Sequence, residues 1–105
     1  MNEDIKQIEE FLKNTPRVEN MTSSRGKEVP NQLIIKGNIN NKDFKLFQSY
    51  NSPIALFLGG KVYIFNNWDY STTTGKYRNI FLNETKKETK EKLKSGEYIA
   101  VDFEV

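Results

Sequence analysis

The chain reads as an α+β protein, an antiparallel sheet of about five strands with helices packed on one side. Two observations carry that reading. Gly59-Gly60 separates two apolar runs by two residues, the spacing of a tight hairpin. The sheet-forming text of residues 33–65 then gives way to helical text over 71–95 and returns to strict alternation over 97–105. Strands grouped before helices, with no internal repeat, belong to the segregated α+β class.

At the start, Ile5, Ile8, Phe11 and Leu12 fall on one helical stripe, and the helix must end before Thr15, which precedes Pro16. Residues 16–32 hold Pro16, Asn20, Ser23, Ser24, Gly26 and Pro30, so they read as a flexible connection with at most a short edge strand near Val18 to Met21. A four-strand meander follows. Leu33–Ile39 and Lys42–Tyr50 pair across Asn40-Asn41 or Gly37-Asn38, and Tyr50-Asn51-Ser52-Pro53 turns the chain. Ile54–Leu58 is apolar enough to be central, and Lys61–Phe65 completes the hairpin.

Ser71 or a following threonine can cap the next helix, with Thr73, Tyr77, Ile80 and Phe81 as its inner face. The helix after it, over 83–95, has Asn83 as its cap, Gly96 as its stop, and only Leu93, Thr85 and Thr89 to turn inward. Glu88 and Lys92 stand in the favourable i,i+4 order. In the last segment Ile99, Val101, Phe103 and Val105 should face the core.

The 105 residues fit one domain, made of an N-terminal helix over 1–15, the connection over 16–32 and an α+β core over 33–105. Cysteine and histidine are both absent. That removes disulfides, thiol nucleophiles, Ser-His-Asp arrangements and the usual zinc ligands, and no carboxylates are spaced to share a cleft. The expectation is a protein that is not an enzyme, with no catalytic residue, cofactor or metal. No apolar run approaches the roughly 18 residues of a membrane span, and the first residues are acidic, so the expected location is the cytoplasm, without a membrane partner.

Ser71-Thr72-Thr73-Thr74-Gly75-Lys76 is similar to a phosphate-binding loop only in part, because Tyr70 and Tyr77 stand where that motif needs glycine and a hydroxyl. Helix capping explains the hydroxyls more simply. Trp68, Asp69 and Tyr70 read either as a binding hot spot or as a staple of the strand-to-helix corner. Tyr63 and Phe65 share a strand face, where they either stack bases or pack. Residues 71–95 carry seven positive and three negative charges. Lys86, Lys87, Lys90 and Lys94 are therefore candidates to meet nucleic acid or an acidic surface, against the simpler reading of a solvated helix.

Four segments, Ser49-Tyr50-Asn51-Ser52-Pro53-Ile54-Ala55, Val62-Tyr63, Trp68 to Thr74, and Lys76-Tyr77-Arg78-Asn79-Ile80-Phe81-Leu82, give the chain a family likeness. It resembles an uncharacterised domain of small bacteriophage and mobile-element proteins, with the pattern S-Y-x-x-x-I-A, W-x-Y-S-x-T-T and K-[YH]-x-x-x-F-L. The N-terminal helix and residues 16–32 lie outside that pattern. The resemblance implies a phage or plasmid origin and brings no catalytic residue. Small proteins of such elements often inhibit host defence, anti-CRISPR and anti-restriction proteins among them. The expected function is thus to bind and block a host protein or ribonucleoprotein, such as a defence nuclease, through Tyr70, Ser71, Thr72, Thr73, Lys76 and Arg78. The alternative is a nucleic-acid-binding accessory or regulatory protein.

Overall fold

The computed structural model describes the backbone of residues 2–102 and the side chains of residues 3–9 and 15–102. The helix α1 spans Asn2–Asn14; the strands β1 to β5 span Arg17–Thr22, Glu28–Ile39, Lys42–Ser49, Ser52–Leu58 and Lys61–Phe65; α2 spans Thr72–Leu82, α3 Lys86–Ser95 and β6 Ile99–Val101. The expected roles of Phe11, Leu12, Phe103 and Val105 lie outside the described side chains.

The six strands lie in sequence order, β1 to β5 antiparallel and β6 parallel to β5. The class is the expected α+β, with one strand more than the sequence suggested. The extra strand comes from the supposed connection. β1 pairs with β2 from Arg17↔Lys36 to Thr22↔Glu28, and β2 begins five residues earlier than Leu33. At most a short edge strand near Val18 to Met21 was expected there, and the reason is compositional. Every β1 residue but Met21 is exposed, so no alternation marks it, and Pro30 with the left-handed Asn31 interrupts the pattern of β2.

Between β2 and β3 the turn is Asn40-Asn41, both at positive φ, and Gly59-Gly60 turns β4 into β5 in the same way. These are the two-residue turns whose twist matches paired strands. After β5 the chain crosses α2 and α3 before β6, which is why β6 runs parallel rather than antiparallel.

Ile34, Phe47, Ala55 and Ile64 stand in one row across β2 to β5. Phe47, Ala55 and Ile64 join Tyr77, Phe81, Leu82 and Tyr98 in the core, with Ile34 packed against it. The Phe81 ring meets Phe47 and Phe57 at 5.7 and 5.1 Å.

Three expectations are corrected here. The inner face of α2 is Thr74, Tyr77, Arg78, Phe81 and Leu82, one residue on from the expected stripe, and Thr73 and Ile80 are exposed. Two of those inward positions are polar, so a search for apolar periodicity settles on the wrong neighbours. Asn83 does not cap α3: it ends α2 in the left-handed conformation, while Thr85 and Glu88 form the capping box of α3. Tyr98 is buried and Ile99 exposed, the reverse of the expected alternation. The phenol turns inward because its hydroxyl has a partner there, Glu84 Oε1 at 2.6 Å.

Candidate binding surface at the start of the second helix

Five residues, Asn66 to Tyr70, carry the chain from β5 to Ser71, the cap of α2. Backbone bonds from Trp68 N to Phe65 O (3.2 Å) and from Tyr70 N to Asn67 O (3.4 Å) fix this corner. Ser71 is extended, at φ −150° and ψ 160°, and its Oγ accepts the Thr74 N–H at 3.1 Å. Its hydroxyl also donates to Thr74 Oγ1 at 3.0 Å, and Thr74 Oγ1 lies 2.8 Å from Ser49 Oγ. One buried hydroxyl therefore holds the end of β3 and the start of α2 together. Asn67 Nδ2 donates to Ser52 Oγ at 3.3 Å and ties the corner to the start of β4.

Arg78 is the second internal support. It is 1% exposed, its Nη1 donates to the Trp68 carbonyl at 2.6 Å, and its Nη2 donates to Asn79 Oδ1 at 2.9 Å. The guanidinium stacks 5.0 Å from the centre of the Trp68 ring. Asp69 lies 3.5 Å from Arg78 and 2.7 Å from Lys86, so one carboxylate joins the corner to α3. The Lys86 hydrogen bond, reinforced by Arg78, holds the Asp69 carboxyl below its ordinary value. Burial lowers the pKa of Arg78, and Asp69 offsets part of that cost.

Above these supports lies an open groove of about 650 Å³, lined by Tyr70, Thr72, Gly75, Lys76, Asn79 and Lys86 among others. The six residues expected at the site divide. Tyr70, half exposed, and the exposed Thr72, Thr73 and Lys76 face water, while the Ser71 hydroxyl is spent on the cap. Arg78 points inward, so its effect on a partner passes through the corner it holds. Trp68 packs against the core, which favours the staple reading for it. On α3, Lys86 is occupied by Asp69. Lys87, Lys90 and Lys94 lie on one stripe, exposed and without an ion pair among the described residues.

Sequence reasoning missed Tyr50. It forms the two-residue turn from β3 to β4 with φ +56°, stands 47% exposed, and donates its N–H to Asn31 O at 2.7 Å. A bulky side chain in the left-handed region is strained, whereas asparagine is tolerated there. Its chain neighbour Ser49 and Tyr70's neighbour Ser71 both bond Thr74, so two exposed tyrosines flank the start of α2. The signal in the sequence was a tyrosine where such a turn favours Asn or Gly. Tyr50→Asn is expected to raise stability by about 1 kcal/mol, roughly 4–8 °C in a thermal melt. An unchanged melting temperature would show that the ring's contacts offset the strain.

Among the described residues no three His, Cys, Asp or Glu side chains could hold a metal ion, and no helix is long and apolar enough to cross a membrane. The molecule is thus a sheet-and-helix domain with a polar, aromatic corner braced from inside. It belongs to a family of unknown function, DUF8033, whose model matches residues 17–98. That match takes in β1 and β2, which the resembling segments had left out, and α1 precedes it. No curated protein and no solved structure matches the chain. Of the residues that carry the resemblance, Ser49, Ile54, Ala55, Thr74, Tyr77, Phe81 and Leu82 are buried, whereas Tyr50, Tyr70, Thr73 and Lys76 face outward.

Proposed function

We propose that this is a non-enzymatic binding protein of a bacteriophage or mobile element, working in the host cytoplasm. It blocks a host macromolecule, in the finer reading a defence nuclease of the CRISPR or restriction type. The observation that carries the reading is the corner at α2. Tyr70, Thr72, Thr73 and Lys76 are exposed together on backbone fixed by the Ser49–Thr74–Ser71 bonds and by the Arg78–Trp68 stack. A surface ordered in advance loses little freedom on binding, and tyrosine is among the residues that dominate interface energies. The family resemblance supplies the phage context.

Affinity capture from a host lysate tests this reading, with nuclease activity measured on whatever is retained. The expected result is a nuclease or ribonucleoprotein whose activity falls on adding the chain, and whose capture Tyr70→Ala/Lys76→Glu abolishes. Capture that ignores this pair of substitutions would remove the site.

One observation favours the second reading, nucleic-acid binding: the free stripe of Lys87, Lys90 and Lys94. Phosphate contacts release counterions, so such binding must weaken steeply with salt. Absence of any shift of DNA or RNA at low ionic strength would eliminate it.

A further inference from the structure

The sheet has a second face, turned away from α2 and α3. On it, Val18, Ile35, Leu46, Leu56, Tyr63 and Ile99 stand opposite one another in a single row across all six strands. None of the six joins the core on the helical side, and none carries a charge. Val18 and Ile99 are exposed and the four between them are half-buried. A row of this kind is larger and more apolar than scattered surface residues.

Two apolar residues of α1, Ile5 and Ile8, are in the same condition. α1 touches the sheet at β2, yet Ile5 and Ile8 remain 53% and 58% exposed. A helix of 13 residues is marginal in water unless its apolar side is covered. The radius of gyration is 15.9 Å, above the roughly 13 Å of a compact chain of this length, and the molecule extends 54 × 34 × 23 Å.

We infer that two copies of this chain pair by exchanging α1, each helix laying Ile5 and Ile8 on the rear face of the other's sheet. The dimensions agree: α1 is about 20 Å long, and six strands about 4.8 Å apart give a face about 24 Å wide. Each copy brings one such pair and one face, so a two-fold axis satisfies both with nothing left over. A helix about 20 Å long and about 10–12 Å across covers roughly 200–240 Å² of sheet, so two reciprocal contacts, counting both surfaces, bury on the order of 1,000 Å², the lower limit for a specific interface. This surface is on the opposite side of the sheet from the corner at α2, so the pairing stands or falls independently of the function proposed above.

Analytical ultracentrifugation of the full chain, to about 100 µM, tests the pairing. The expected species has twice the 12.3 kDa of the chain. Ile5→Glu/Ile8→Glu, made at exposed positions so that the fold is kept, should raise the dissociation constant more than about a hundredfold. Because the chain has no cysteine, an Ile8→Cys chain mixed with a Leu46→Cys chain should oxidise to a linked heterodimer. A wild-type monomer throughout the range would overturn the inference. So would a dimer that survives Ile5→Glu/Ile8→Glu, or Ile8→Cys and Leu46→Cys chains that do not link to each other.

Discussion

Arg78→Ala is expected to destabilise the protein by about 3 kcal/mol, lowering the melting temperature by roughly 15 °C. The side chain is among the largest of the fully buried ones, and its removal leaves the Trp68 carbonyl without its donor and the Trp68 ring without its stacking partner. Asp69 would keep Lys86. Arg78→Lys should recover little, because an ammonium cannot stack flat on indole while donating along two directions. Chemical denaturation of the three chains checks this, and a lysine variant with wild-type stability would show that charge alone is what the site needs. The result also bears on how the corner is probed. A loss of binding on Arg78→Ala would not separate contact from collapse, so the informative substitutions are at Tyr70 and Lys76.

Glu84→Ala should cost as much or more, about 3–5 kcal/mol. The carboxylate is 2% exposed and fully engaged: Thr89 Oγ1 donates to Oε2 at 2.5 Å, and Lys92 Nζ and Tyr98 OH donate to Oε1 at 2.8 and 2.6 Å. Its loss takes the acceptor from the buried phenol and leaves the fully buried Thr89 hydroxyl only the longer bond to the Thr85 carbonyl, at 3.3 Å. Burial opposes the Glu84 charge, but the bonds from Lys92, Thr89 and Tyr98 outweigh it and hold the carboxyl below its ordinary 4.5. A depressed carboxyl contributes stability above its unfolded value, and that stability fades as pH falls through the folded one. Wild type should therefore lose stability below about pH 4.5 more steeply than Glu84→Gln. At the alkaline end the sign reverses. Burial, with Glu84 beside it, pushes the Tyr98 phenol up to about 12, so its contribution is complete below its ordinary 10 and is lost as pH climbs towards 12. Denaturation midpoints of wild type and Glu84→Gln across both ranges check the two edges; parallel curves would refute the assignment.

Legibility in the sequence followed the kind of physics each element uses. The Asn40-Asn41 and Gly59-Gly60 turns were readable because positive φ restricts residue type, and the Ser71 cap because a hydroxyl is needed at one place. β1 was legible only in part: the edge strand allowed near Val18 to Met21 is present over Arg17–Thr22, but with one buried residue no alternation marked its extent. The stripe of α2 was misplaced because two of its inward residues, Thr74 and Arg78, are polar and are buried through partners distant in sequence, Ser49 and Trp68. Local periodicity carries no trace of such pairs. The same limit applies to Glu84, whose partner Lys92 was assigned to Glu88 by helical spacing. For the corner, composition identified the residue types and the right stretch, while only the coordinates separate the outward Tyr70, Thr72 and Lys76 from the inward Arg78.

The proposed function requires the corner at α2 to meet another molecule as a rigid platform. Its most direct test is capture from host lysate by three chains in parallel: wild type, Tyr70→Ala/Lys76→Glu, and Lys87→Glu/Lys90→Glu/Lys94→Glu. All five positions are exposed, so the three should melt alike. The expected result is a partner that the corner variant loses and the α3 variant keeps. Retention by the corner variant together with loss by the α3 variant would contradict it.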